Sequence, residues 1–192
     1  MDFDSLTSKY STQGPSFYML ATILNHPDEP PDTVLDEFCA AFGPAKEAVK
    51  QYFGLWESVY PNYSASEQAS RLKAKRKYGA GMYGPFYLLA GEIYTPGVMT
   101  AAWSRLERAR TDAAPEVVAA ARVEWLAKGL KQADLMLDTE RAYERAVDTG
   151  DKSEFLAVYQ ALKDFRKANA DYDGSSFVGL GGAEKIWEKA NR

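Results

Sequence analysis

Apolar residues recur at spacings of three and four along almost the whole chain, and no segment alternates convincingly with period two. That periodicity selects an all-α fold, expected here as an irregular bundle of about seven or eight helices. The 192 residues, 46% hydrophobic and 26% charged, suit one domain or two small ones and can bury a substantial core.

Local signals divide the chain into helices. Pro15 fits a first helical position after Gly14, and Phe17, Leu20, Ala21 and Leu24 then share a face. Tyr18, Met19 and Ile23 fill the other sides, so this helix is apolar almost all round and is expected to be central. It stops at Asn25-His26-Pro27, because a residue before proline resists the helical region. Asp32 is a good N-cap for a second helix with Leu35, Phe38, Cys39 and Phe42 on one stripe. Gly43-Pro44 ends that helix and opens a third, whose face carries Val49, Tyr52, Phe53, Trp56 and Val59 before Pro61.

Ser66 to Lys77 reads as a basic helix and Pro85 to Tyr94 as a short, buried, apolar one. Thr95-Pro96 is a cap followed by a first-position proline, leading into Met99, Ala102, Trp103, Leu106 and Ala109. Pro115 is expected to start the longest helix, towards Thr149 and Gly150. Its seam of Ala119, Val123, Leu126, Leu130, Ala133 and Leu137 alternates spacings of four and three. Asp151 with Glu154 resembles a capping box ahead of Phe155, Val158, Tyr159, Leu162 and Phe165. A glycine-rich loop from Gly174 to Gly182 precedes a short helix with Ile186 and Trp187. The expected core includes Leu20, Leu24, Phe38, Phe53, Trp56, Trp103, Leu126, Leu130, Leu162 and Phe165. Helix lengths are unequal and no helical repeat is visible.

Composition removes several function classes. With 23 basic against 27 acidic residues the net charge is −4, unsuited to binding nucleic acid by neutralising phosphates. No run of apolar residues is long enough to span a bilayer, so no membrane partner is expected. The start, Met1-Asp2-Phe3-Asp4-Ser5, lacks the basic-then-apolar plan of a secretory signal, which fits a cytosolic protein or a chain whose N-terminus lies upstream. The single histidine, His26, excludes multi-histidine metal sites, and the single cysteine, Cys39, excludes a disulfide framework or multi-cysteine cluster. No metal and no cofactor is expected. An aromatic content of 13% points to dense packing or to carbohydrate contact.

Few residues carry a chemical signal. Gly79-Ala80-Gly81-Met82-Tyr83-Gly84 matches the dinucleotide fingerprint literally, but a basic, helix-like segment precedes it where the mechanism needs a strand. A structural turn is the better reading. Arg71, Lys73, Lys75, Arg76 and Lys77 crowd five cations into seven residues, read as a solvated helix face rather than an anion site. His26 suits helix capping or packing, and Cys39 an inert buried position. Asp2 and Asp4 are the most suggestive carboxylate pair, although glycosidase chemistry needs two carboxyls about 5 to 10 Å apart across a sugar. Glu140 and Glu144 share a helix face but neighbour Arg141 and Arg145, and read as surface charges.

The most specific stretch runs from Asp2 to Tyr60. It contains Gln13-Gly14-Pro15-Ser16-Phe17-Tyr18-Met19-Leu20-Ala21 and then Asn25-His26-Pro27-Asp28. Val34-Leu35-Asp36-Glu37-Phe38, Phe42-Gly43-Pro44-Ala45 and Val49-Lys50-Gln51-Tyr52-Phe53 follow. This resembles the helical region after the barrel in bacterial glycoside-hydrolase-like proteins of domain-of-unknown-function family 4838. The family pattern is a Tyr-x-x-Ala-x-Leu helix, a Trp-Asn-Pro-Asp turn, a Leu-Asp-Glu-Phe helix and a Phe/Tyr-Gly-Pro-Ala turn. This chain has Leu24-Asn25-His26-Pro27 where the family commonly has tryptophan and proline. Ile93 to Val98 and Ala121 to Leu126 also fit the family's end region, and similar helical ends follow the barrels of α-glucuronidase-like and hexosaminidase-like enzymes.

The resemblance implies a C-terminal accessory domain of a carbohydrate-active protein. It would pack on and rim a (β/α)8 barrel, which takes about 250 residues and is not in this chain. The barrel would be supplied in cis or in trans, the catalytic carboxylates would belong to it, and the parent protein would be extracytoplasmic. Residues 1–14 would be the junction to the barrel and 15–192 the helical domain, with Asp2, Asp4, Tyr10 and Gln13 as candidates for contacts at the substrate rim. No catalytic residue is carried over. A stand-alone helical protein-interaction or ligand-binding module is the alternative.

Overall fold

The computed structural model describes residues 10–59, 64–79, 84–172 and 181–190, with backbone alone at 10–13, 84–88 and 181–184. Among them are nine α-helices and no strand, which makes the fold an all-α helical bundle. The helices are α1 (Tyr10–Asn25), α2 (Pro31–Ala40), α3 (Lys46–Ser58), α4 (Ala65–Ala74), α5 (Gly84–Ile93), α6 (Pro96–Ala113), α7 (Val117–Thr149), α8 (Ser153–Ala168) and α9 (Gly181–Ala190). Short 3₁₀ turns occupy Gly43–Ala45 and Arg76–Tyr78. The chain forms two compact units. The first holds Met1–Ser58, Val98–Lys131 and Asp171–Ser176, and the second holds Val59–Gly97, Gln132–Ala170 and Phe177–Arg192.

In the first unit α1 packs on α2 and α2 on α3. Val34 and Cys39 of α2 are buried together with Val49, Tyr52 and Phe53 of α3. Phe38 sits among aromatic neighbours, its ring centroid 5.9 Å from that of Phe42 and 5.7 Å from that of Phe53. Gly43 turns the chain with φ 55°, and a Cβ there would run into the Glu116 carboxylate. Arg110 of α6 grips Glu124 of α7 through Nε at 2.6 Å and Nη2 at 2.9 Å. Arg122 donates to the carbonyl of Ala41, and the Tyr172 hydroxyl donates to the carbonyl of Trp125 at 2.8 Å.

In the second unit Phe155, Tyr159 and Leu162 of α8 pack with Ala142 and Ala146 of α7 and Trp187 of α9. The Phe155 and Tyr159 rings stack at 5.7 Å, and Tyr159 meets Trp187 edge-on at 5.9 Å. α4 begins at a complete capping box, in which the Ser64 hydroxyl accepts from the Glu67 backbone and the Glu67 carboxylate accepts from the Ser64 N–H.

Five of the six seam positions of α7 are buried, Ala119, Val123, Leu126, Leu130 and Leu137, and Ala133 is half-buried. Pro96 is the first residue of α6, as Thr95-Pro96 signals. Other expectations are corrected. Pro15 lies inside α1, which starts at Tyr10. Gly14 rests against the Phe38 ring, so packing on α2 holds a turn that the proline would otherwise weaken. α1 is not central either, since Tyr18 is 40% and Leu24 54% exposed. Leu24 therefore leaves the core, while Leu20, Phe38, Trp56, Trp103 and Phe165 are half-buried.

The N-cap of α2 is Pro30, with Asp32 inside the first turn, because the prolines at 30 and 31 preset the entry. α7 starts at Val117, two residues after Pro115. The capping box expected at Asp151 is incomplete. Asp151 accepts from the Ser153 N–H at 2.9 Å, but Arg145 takes Glu154 with two hydrogen bonds, at 2.6 and 2.9 Å.

Candidate functional site

The chemically distinctive place in the second unit is built by α7, the end of α4 and α9. The seam of α7 continues past Leu137 by three and four residues to Glu140 and Glu144. Glu140 is 6% exposed, so it is a buried carboxyl and not the surface charge its arginine neighbours suggest. Arg141 and Arg145 point elsewhere, to the Tyr94 carbonyl at 2.6 Å and to Glu154. Residues adjacent in a helix do not face each other.

Burial pushes the Glu140 carboxyl up to about 7, and the negative charge of Glu144 one turn away adds to the rise. The Lys75 ammonium and a hydrogen bond with the Trp187 side chain act in the opposite direction. The same burial, with Glu140 nearby, raises the Tyr143 phenol.

Lys75 connects this pair to the basic run. Its side chain is only 17% exposed, and its Nζ lies 2.6 Å from Glu144 and 3.8 Å from Glu92 of α5. Arg71 meets Glu92 at 2.6 Å. The 3₁₀ turn then brings Lys77 to 2.7 Å from Asp148, and the Tyr78 hydroxyl donates to the other oxygen of that carboxylate at 2.9 Å. The run is therefore not simply a solvated face. Three of its five cations pair with carboxylates of α5 and α7, an arrangement one-dimensional charge counting does not show. Lys73 and Arg76 remain exposed.

Gly79 follows the 3₁₀ turn with φ 106°, and a Cβ there would collide with Ile186 of α9. It admits a close neighbour, as a structural turn requires; residues 80–83 of the fingerprint lie outside the described residues.

The remaining candidates do not assemble. Asp2 and Asp4 lie outside the described residues, and Tyr10 and Gln13 fall at the start of α1, where only backbone is described. His26 is exposed and its N–H bonds to the Thr22 carbonyl at 2.7 Å, ending α1. Cys39 is buried and its thiol is pushed up to about 11 by that burial, which leaves it protonated and unreactive. Among the described residues no three metal-binding side chains converge.

A carboxyl near neutrality is what general acid–base catalysis needs. Glycoside hydrolysis also needs a second carboxylate across a substrate. Here a second carboxylate, Glu144, is one turn along the same helix and held by Lys75, while Glu140 is covered. The cluster can hold a proton near neutrality. No family model, no curated protein and no solved structure matches this chain.

Proposed function

We propose that this chain is a non-catalytic helical accessory module that docks through α1 onto a partner domain. The partner suggested by the resemblance is a (β/α)8 barrel of a glycoside-hydrolase-like, carbohydrate-active protein, in cis or in trans, with the parent protein extracytoplasmic. The observation that carries the reading is the apolar surface that α1 leaves exposed among the described residues. Tyr18 and Leu24 are exposed, and Met19, Leu20 and Ile23 are only half-buried. A helix apolar almost all round is ordinarily enclosed, so an exposed apolar surface on it is read as an interaction site. Polar chemistry supports the same reading, because Glu92, Glu144, Asp148 and Glu154 are each engaged by a cation within the fold.

The test uses 8-anilinonaphthalene-1-sulfonate, which brightens on exposed apolar surface. The native chain should enhance its fluorescence, and replacing Tyr18 and Leu24 together by glutamate should remove about half of that enhancement without loss of helicity. The same protein should show no turnover on a panel of aryl-glycosides. Absence of dye binding, or turnover, would contradict the proposal.

A further inference from the structure

We propose that residues 64–79, α4 with its 3₁₀ turn, form an ionic strap: the segment is fastened to the second unit by a row of ion pairs and lifts off when those pairs are screened or neutralised.

The burial pattern shows why the fastening is ionic. Between Ala65 and Ala74 no side chain of α4 is buried, and Leu72 alone is half-buried. By contrast α8 sinks Phe155, Tyr159 and Leu162 into the cluster around Trp187. A helix of ten residues is marginal in water by itself, so α4 depends on what it is attached to. Its capping box is internal to the segment and supplies no attachment.

The attachment runs along two matched rows. Arg71 and Lys75 stand four residues apart in one row, and Glu144 and Asp148 four apart on α7, so each pair shares a helix face. Arg71 reaches Glu92 of α5 at 2.6 Å. Lys75 lies 2.6 Å from Glu144 and 3.8 Å from Glu92, and so ties α5 to α7. Lys77 closes the row at 2.7 Å from Asp148, whose other oxygen accepts from the Tyr78 hydroxyl at 2.9 Å. These two partners, Lys77 first, hold the Asp148 carboxyl below its ordinary range. None of the pairs includes Lys73 or Arg76, which are exposed.

Isolated surface ion pairs contribute little, but these are linked, and the Lys75 and Glu144 side chains are only 17% and 21% exposed. Their contribution is also removable. The screening length falls from about 10 Å at 0.1 M salt to about 3 Å at 1 M. Apolar packing, such as Ile186 seated on Gly79, is not weakened by added salt. A segment held by packing would therefore stay closed where an ionic strap opens.

Hydrogen exchange of the full chain at pH 7, read by mass spectrometry on residues 65–78 and corrected for intrinsic rates, tests this. Raising sodium chloride from about 0.02 M to about 1 M should raise the opening constant of α4 by about threefold or more, with α8 changing by less than about twofold. Glu92→Gln combined with Asp148→Asn removes partners of Arg71, Lys75 and Lys77 without touching a buried side chain. This double variant should open α4 by about threefold or more at the low salt concentration, and further salt should then have less effect. Lys73→Gln removes a cation outside the row and should leave both readings unchanged. A smaller salt effect on α4 in the native chain, unchanged protection in the double variant, or an equal loosening by Lys73→Gln would overturn the strap.

Discussion

Trp187→Ala is expected to lower the unfolding free energy by about 3 to 5 kcal/mol, the range for deleting a large buried aromatic. The indole is among the largest fully buried side chains and meets Tyr159 edge-on at 5.9 Å. Truncation removes that contact and leaves a cavity among Phe155, Tyr159 and Leu162. Because the mutation removes a fluorophore, the change is best read by urea titration followed by circular dichroism. A loss below about 1 kcal/mol would mean that α9 contributes little to the second unit.

A second large effect concerns pH. The folded state holds Glu140 at about 7, above the ordinary carboxylate value of 4.5. Between those two values the native chain binds more protons than the unfolded one, so the stability it gains from Glu140 is full below about 4.5 and is lost as pH rises through 7. Glu140→Gln removes that dependence. Relative to the native chain, the variant should gain about 2 to 3 kcal/mol on going from pH 5 to pH 8, measured by urea unfolding at each pH. Asp36, Glu67, Asp148, Asp151 and Glu154 are held low by their partners and act in the opposite sense, losing stability as pH falls below the ordinary carboxylate range. Their window lies on the acid side of the one that Glu140 controls. A constant difference between variant and native chain across pH 5 to 8 would contradict the assignment.

Much of this architecture is legible in one dimension because helical period is a local signal. The seam from Ala119 to Leu137 and the Thr95-Pro96 start follow from spacing and cap chemistry, whereas the burial of Trp187 does not. The seam also reaches the candidate site. Stepping three from Leu137 and then four lands on Glu140 and Glu144, so the alternation that marks core positions marks the buried carboxyls too. Their arginine neighbours at 141 and 145 obscure this only if adjacency is taken for contact.

What spacing could not supply was partnership across the fold. Lys75 and Glu144 are 69 residues apart in sequence, and Lys77 and Asp148 are 71 apart, so a dense basic run looks solvated until its carboxylates are placed beside it. Pro15 misleads for a related reason. Proline favours a helix start, yet Gly14 packed on Phe38 lets α1 begin earlier. The exposure of Leu24 is likewise invisible to periodicity, which identifies apolar faces but not what covers them.

The proposed docking role requires that α1 be built to be covered by something else. Hydrogen exchange on the purified monomeric chain, comparing the amides of α1 with those of α3, is the most direct measurement. α1 should exchange far faster than α3, because Tyr18 and Leu24 of α1 are exposed whereas Val49, Tyr52 and Phe53 of α3 are buried. Protection of α1 equal to that of α3 in a monomer would contradict it and favour a self-sufficient helical binding domain.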